Sequence, residues 1–295
     1  MLWLLAACFL CETLFGQGLP HGIQNQTGIR LMVAPEDKQP SLHVVLPGSA
    51  DSDRTIYVLF PEHVTARRHG ATDAERFYLF QSGRDGQRPL WRSVGNSLEY
   101  ERDFEPGIHM LARATVEDDG IRFTYMFVNR STVDYDMIYA VTDPRLTGIF
   151  HDVRLERTYV HHKEGFDLLA SETPSRLTMS LNQWLPSRYL DSFTWPVPTQ
   201  RVEHREDDIT YYNKSRAVDE PMIATLSTDR QWVVASFSQT TGNVWSNPEL
   251  TCQHVDPEKP LPAGQKAQLE VKMLVLRSSL NNVLAKVREQ RSSLK

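Results

Sequence analysis

Cys252 and His254 stand two positions apart in the run Trp245-Ser-Asn-Pro-Glu-Leu-Thr-Cys-Gln-His-Val-Asp-Pro257. On an extended segment, residues i and i+2 share a side, so a thiol and an imidazole can meet there. Such a pair acts as nucleophile and base when a third group orients the ring, and Asp256 is the nearby carboxylate. A cysteine in a large β core is more often a small buried hydrophobe. No nucleophilic role is therefore assigned, and Trp245 and His254 are taken as ligand-contacting residues.

A second concentration of chemistry lies between Thr147 and Gly165. His151, Asp152, Arg154, Arg157, His161 and His162 fall within twelve positions. A guanidinium offers a planar fork that matches carboxylates, which makes Arg154 and Arg157 substrate-binding candidates. If the stretch from Arg157 to Val160 is a strand, His161 and His162 point to opposite faces. A zinc site needs three or four convergent ligands, and adjacent histidines on a strand do not converge. No metal site and no cofactor are expected. No catalytic group can be assigned; by residue type the candidates are His109, Tyr159, His161 and His162.

Aromatic residues give a third signal. Trp184, Trp195, Tyr211, Tyr212 and Trp245 lie in or beside loops rich in Pro, Asn and Ser. A sugar ring presents an apolar C–H face to an indole or phenol, while its hydroxyls need planar donors and acceptors. Taken singly, each aromatic is as well explained by packing.

Several chemistries lack their residues. The sequence has no phosphate-binding Gly-x-x-x-x-Gly-Lys loop, no His-Glu-x-x-His and no Gly-x-Ser-x-Gly elbow. A formal net charge of −5 over 295 residues argues against a nucleic-acid partner, which requires a basic face.

The elements that must position these residues are mostly strands. Ile108, Met110, Ala112, Ala114 and Val116 alternate with polar neighbours, Glu117-Asp-Asp-Gly120 supplies a turn, and Ile121, Phe123, Tyr125 and Phe127 return. That pattern predicts a β-hairpin. Further strands are expected over 54–60, 77–81, 136–141, 157–160, 177–181 and 231–237. In the last strand Leu269, Val271, Met273 and Val275 alternate with Gln268, Glu270 and Lys272, predicting one buried and one wet face. Leu280, Val283, Leu284 and Val287 then follow helical spacing, with Ser279 or Asn281 as cap.

Residues 1–17 are apolar as far as Glu12 and suit a signal peptide. The run is too short for a spanning helix, which needs about 20 apolar residues. Removing it takes away Cys8 and Cys11 and leaves Cys252 as the one cysteine of the mature chain. Residues 18–295 then form a single domain, secreted or periplasmic, with no membrane partner once the signal is gone.

The stretch from Trp245 to Leu276, with His254-x-Asp256-Pro257, the Pro262-x-Gly264 turn and the final strand, resembles the closing segment of the galactose-mutarotase-like superfamily. Arg122 to Ser131 resembles the strand of that family that ends in an Asn. Ile149 to Gly165 is similar to secreted bacterial members. Together the three stretches cover about a fifth of the chain. The resemblance implies an all-β, antiparallel β-supersandwich with one short C-terminal helix, and a mono- or polysaccharide as partner. The Gly-His-Pro-Phe-type motif of the aldose epimerases is absent. The expectation is thus an exported carbohydrate-recognising protein. The alternatives are a sugar-active enzyme, either aldose epimerase-like or a polysaccharide lyase, and a structural envelope protein.

Overall fold

The computed structural model describes residues 22–34, 39–48, 54–80, 87–104 and 107–295. The proposed signal peptide lies outside them. The hairpin forms as its alternation requires. Strands Ile108–Glu117 and Gly120–Asn129 pair antiparallel in unbroken register from Gly120 opposite Glu117 to Asn129 opposite Ile108. Strand Lys266–Leu276 lies on the other side of Gly120–Asn129. These three long strands sit inside a nine-stranded sheet. A five-stranded sheet, built from strands Ile23–Gln24, Arg30–Val33, Ser41–Val45, Thr55–Leu59 and Asp143–Arg145, covers one face of it.

The two sheets share one apolar core. Leu31, Leu42, Val44, Ile56 and Val58 come from the smaller sheet, and Leu98, Ala112, Ile121, Phe123 and Tyr125 from the larger. Phe60 sits between them, with ring centroids 5.1 Å from Phe123 and 4.8 Å from Tyr125. The Tyr100 hydroxyl donates to the Phe60 carbonyl at 2.6 Å, which satisfies a polar tip inside the core. This is an antiparallel β-sandwich with a single C-terminal helical segment of any length, Leu280–Gln290 extended by Arg291–Ser293.

That helix changes the reading of the final strand. From Leu269 to Val275 the strand is buried on both faces, including Glu270 and Lys272. Val283, Leu284 and Val287 pack with Leu274, Val233, Ala235 and Phe237 in a second, smaller core. The face expected to be wet is therefore covered by the helix, and Lys272 pairs there with Glu117 and Asp119. The Ser279 hydroxyl caps the helix by accepting from the Asn282 amide.

Two expected strands are not strands. Of the one over 77–81, only Phe77 is in a strand, as the last residue of Glu75–Phe77, and 78–80 are irregular. Pro174–Leu177 forms a short 3-10 turn and Leu181–Trp184 a single helical turn. The alternation of Leu177, Met179 and Leu181 marks no buried face, because Leu177 and Leu181 are both exposed.

Two further four-stranded sheets flank the site. The first orders Lys259–Leu261, Tyr135–Ala140, Val64–Arg68 and Glu75–Phe77. The second orders Val202–His204, Thr210–Asn213, Ser187–Ser192 and Asn243–Ser246, and contains a parallel pair, Ser187–Ser192 with Thr210–Asn213.

Candidate functional site

A cleft of about 370 Å³ receives side chains from both four-stranded sheets. The first sheet and its approaches contribute Glu62, His63, Arg76, Tyr78 and Tyr139; the second contributes Arg188, Tyr211, Asn243 and Trp245. The loop that follows brings Asn247, His254 and Asp256, and Asp143 enters from the end of the five-stranded sheet.

Backbone pairing sets the centre of this arrangement. Trp245 and His254 exchange both main-chain hydrogen bonds, at 3.1 and 3.0 Å. Residues paired this way carry neighbouring side chains on one face. Their rings lie parallel, 4° apart in plane and 3.7 Å between centroids. The residue between Cys252 and His254 points the other way and anchors the loop. Gln253 donates to the Thr225 hydroxyl and the Val234 carbonyl and accepts from Ser236. The i, i+2 geometry thus brings Cys252 and His254 to one side, with Nε2 3.1 Å from Sγ.

His254 is fully buried and ringed by negative groups. Nε2 lies 3.4 Å from Asp143 Oδ1 and Nδ1 lies 3.4 Å from Asp256 Oδ2. Burial opposes the charged ring, but Cys252, Asp143 and Asp256 outweigh it and hold the imidazole well above its ordinary pKa. Asp143 is also bound by Arg145, whose Nε donates to Oδ2 at 2.7 Å. Its carboxyl is lowered despite burial, through His254 and Arg145. Asp256 shifts the opposite way, raised by burial.

Glu62 and His63 sit side by side at the cleft with shifts that diverge from each other's usual behaviour. Burial, reinforced by Asp143, raises the Glu62 carboxyl. Burial, reinforced by Arg76 and His254, lowers the His63 imidazole to about 4. Near neutrality His63 is therefore an uncharged ring, stacked on Tyr78 at 5.5 Å.

The rest of the lining is aromatic with forked donors. Trp195 is half exposed and lies against Gly242, where an added Cβ would come within 2.1 Å of the indole. Glycine is what permits that approach. Arg205 stacks on Tyr211 at 3.7 Å. The Arg76 guanidinium makes no hydrogen bond among the described residues, and Arg188 donates to the adjacent Ser187 carbonyl at 2.9 Å.

Of the residues singled out by sequence, Trp195, Tyr211, Trp245, His254 and Asp256 line this cleft, Cys252 adjoins it through His254, and the others lie elsewhere. Arg154 donates to the carbonyls of Arg176 and Met179. Arg157 donates to those of Ile149, His151 and Leu226, with Asp152 beside it at 3.8 Å. His109 is on the outer face of the nine-stranded sheet, 2.8 Å from Asp103. His161 and His162 point apart, as neighbours on a strand must. His161 meets Asp219 at 2.6 Å, and His162 meets the buried Asp191 at 3.1 Å. Tyr159 packs against the small core beneath the helix. Trp184 is wholly buried, its indole N–H donating to the Val153 carbonyl at 2.6 Å.

Glu62, His63, Arg76, Asp143 and Arg188 carry no motif. They reach the cleft from separate strand ends, so no local spacing announces them. A weak signal exists at Asp143, which follows an apolar strand as Thr-Asp-Pro-Arg, a combination suited to a strand's polar exit.

Layers and topology define the class: the chain has an antiparallel β-sandwich fold with a cleft between its two four-stranded sheets. Among solved structures, it is similar to the Slr1438 protein of Synechocystis sp. PCC 6803, at TM-score 0.50 and 11% identity, over 89% of this chain and 97% of that one. It is similar also to the α-N-acetylgalactosaminidase NagBb of Bifidobacterium bifidum in its GalNAc complex, at TM-score 0.51 and 10% identity. There the match takes in 92% of this chain and 39% of the enzyme, so this chain spans about two fifths of that enzyme's length. A galactose mutarotase related enzyme from Lactobacillus acidophilus matches at TM-score 0.47 and 11% identity, over 88% and 98% of the two chains. No family model and no curated protein matches the sequence.

Proposed function

We propose that this chain is an exported protein that recognises a carbohydrate in the cleft between the two four-stranded sheets. The observation that carries the reading is the lining itself. Trp195, Trp245, Tyr78 and Tyr211 share one concavity with Arg76, Arg188 and Asn243. Aromatic faces suit the C–H side of a sugar ring, and the forked donors suit its oxygens. Arg76 is the sharpest element, because its guanidinium, which has no hydrogen-bonding partner among the described residues, can take a ligand's oxygens at the cleft. An open cleft of this composition also weighs against a purely structural role. Export rests on the apolar run of residues 1–17, and release of a shortened chain into the medium or periplasm would test it.

A second reading, an aldose epimerase-like enzyme, is favoured by Glu62 and His63. Opening and reclosing a sugar ring needs one group to take a proton and another to give one. Neighbouring groups pushed to unusual values in one cleft are the kind of pair that divides those roles. A polarimetric mutarotation assay of wild type and Glu62→Gln separates turnover from binding.

The experiment for the main reading is a thermal-shift screen of residues 18–295 against neutral sugars and uronic-acid oligosaccharides. A bound ligand raises the melting temperature by mass action. Trp245→Ala should weaken the ligand found by roughly fivefold to thirtyfold, the worth of one aromatic platform at about 1–2 kcal/mol. A flat screen on well-folded protein, or a hit indifferent to Trp245→Ala, would remove the reading.

A further inference from the structure

We propose that Asp143, Cys252 and His254 form a binding site for a thiophilic divalent cation of the zinc type, independent of the carbohydrate reading. The three ligand atoms, one oxygen, one sulfur and one nitrogen, all lie within 4.8 Å of one another. Tetrahedral zinc, with bonds of about 2.0 Å to N and O and 2.3 Å to S, requires N···S of about 3.5 Å and N···O of about 3.3 Å. Here Nε2 lies 3.1 Å from Sγ and 3.4 Å from Oδ1. Both separations from the imidazole need a shift of only a few tenths of an ångström or less, and Oδ1 and Sγ lie within 4.8 Å of each other.

Three further observations point to a ligand at this place. Asp143 Oδ1 is buried and accepts no hydrogen bond, although Oδ2 of the same carboxylate is fully engaged by Arg145. A buried carboxylate oxygen is seldom left without a donor, and this one is aimed at His254. The far nitrogen of the His254 ring faces Asp256 at 3.4 Å, and Asp256 is itself fixed by the Thr142 amide at 3.0 Å. A carboxylate on the non-ligating nitrogen is the arrangement that orients metal-bound imidazoles. Finally, the Asn247 amide donates to Cys252 Sγ at 3.2 Å, which favours electron density on sulfur.

The ligand set selects the metal. One thiolate and one imidazole with a single carboxylate suit zinc or cobalt, whereas calcium and magnesium require oxygen shells. On binding, the cation replaces the proton on Nε2 and the proton on the thiol, and both pass to solvent. Asp143 and His254 line the cleft, so the fourth coordination position is reached from the ligand side, as in zinc sites that keep an open place.

The test uses the full chain stripped with a chelator and titrated with Co²⁺, followed by competition with Zn²⁺. We expect one equivalent to bind, with the intense visible bands of tetrahedral cobalt and a near-ultraviolet thiolate-to-cobalt band, both abolished by Zn²⁺. Cys252→Ser should remove the near-ultraviolet band and weaken binding by at least tenfold. Asp256→Asn should weaken it roughly tenfold with the thiolate band retained. Circular dichroism of each variant checks that it is folded, and His254→Gln provides a second ligand deletion should Cys252→Ser fail to fold. No cobalt bands, octahedral bands without a thiolate transition, or bands unchanged in folded Cys252→Ser would each overturn the proposal. None of these readouts involves a sugar, so a failed sugar screen leaves them untouched.

Discussion

The cleft around Trp245 and His254 and the segment from His151 to His162 are built from the same residue types, yet they use them differently. In the 151–162 segment, the donors turn back into the protein. Arg157 reaches three backbone carbonyls, and Arg154 reaches two. Asp152 accepts from the amides of Glu156 and Arg157 and the hydroxyl of Thr158. Asp152, Arg154 and Arg157 thus close turns that the sheet does not hydrogen-bond. In the cleft, Arg76 has donors to spare and Asp143 keeps an oxygen without a hydrogen bond. Density of polar residues does not mark a site; unanswered polar groups at a concavity do.

The largest expected effect tests the structural half of that contrast. Arg157→Ala should destabilise the fold by about 3 kcal/mol, since three carbonyls lose their donor inside partly buried structure. Urea denaturation would measure it. Whatever ligand the cleft takes should bind folded Arg157→Ala as it binds wild type. A stable Arg157→Ala variant with weakened binding would erase the distinction between the two regions.

The cleft should lose stability in mild acid. His63 has its imidazole lowered from 6.5 to about 4, first by burial and then by Arg76 and His254. Between those values the unfolded chain takes a proton at this position that the folded chain refuses. The stabilising contribution is therefore complete above about pH 6.5 and falls as pH drops towards 4. Allowing for partial solvent access, the loss is about 2 kcal/mol. His63→Gln should lose less stability than wild type between pH 7 and pH 4.5. Equal losses would mean that His63 is not held neutral by its surroundings.

Much of the scaffold could be read from the residues because its patterns are local. The hairpin over 108–129 shows period-two alternation around a Gly turn, and the helix shows Val283, Leu284 and Val287 at helical spacing. The two-sided burial of the final strand was not legible, because Glu270 and Lys272 look wet until a helix covers them and acids pair the lysine. The turns at 174–184 were misread because alternate leucines among Ser and Thr fit a strand equally well. The cleft was half legible. Trp245, Cys252, His254 and Asp256 come from one contiguous run, so spacing relates them. Glu62, His63 and Asp143 are brought in by tertiary structure from more than a hundred positions away.

The smallest effect separates the regions by pH. Asp167 lies beside the 158–162 strand and accepts from the buried Lys214 ammonium at 2.6 Å and from Ser171 at 2.8 Å. Burial opposes its charge, but Lys214 and Ser171 lower the carboxyl from 3.8 to about 2. A lowered carboxyl contributes stability that is present above pH 3.8 and lost as pH falls towards 2. With the side chain 30% exposed, the contribution is about 1 kcal/mol. Asp167→Asn should be less stable than wild type at pH 5, where Lys214 loses its partner, and the gap should close between pH 4 and pH 2. His63 acts above that window and Asp167 within it. Acid unfolding of the two variants should therefore show the cleft loosening first and the hydrogen-bonded structural region later. If the Asp167→Asn gap instead closed above pH 4, the lysine would not be holding the carboxylate, and the contrast between answered and unanswered charges would lose its clearest example.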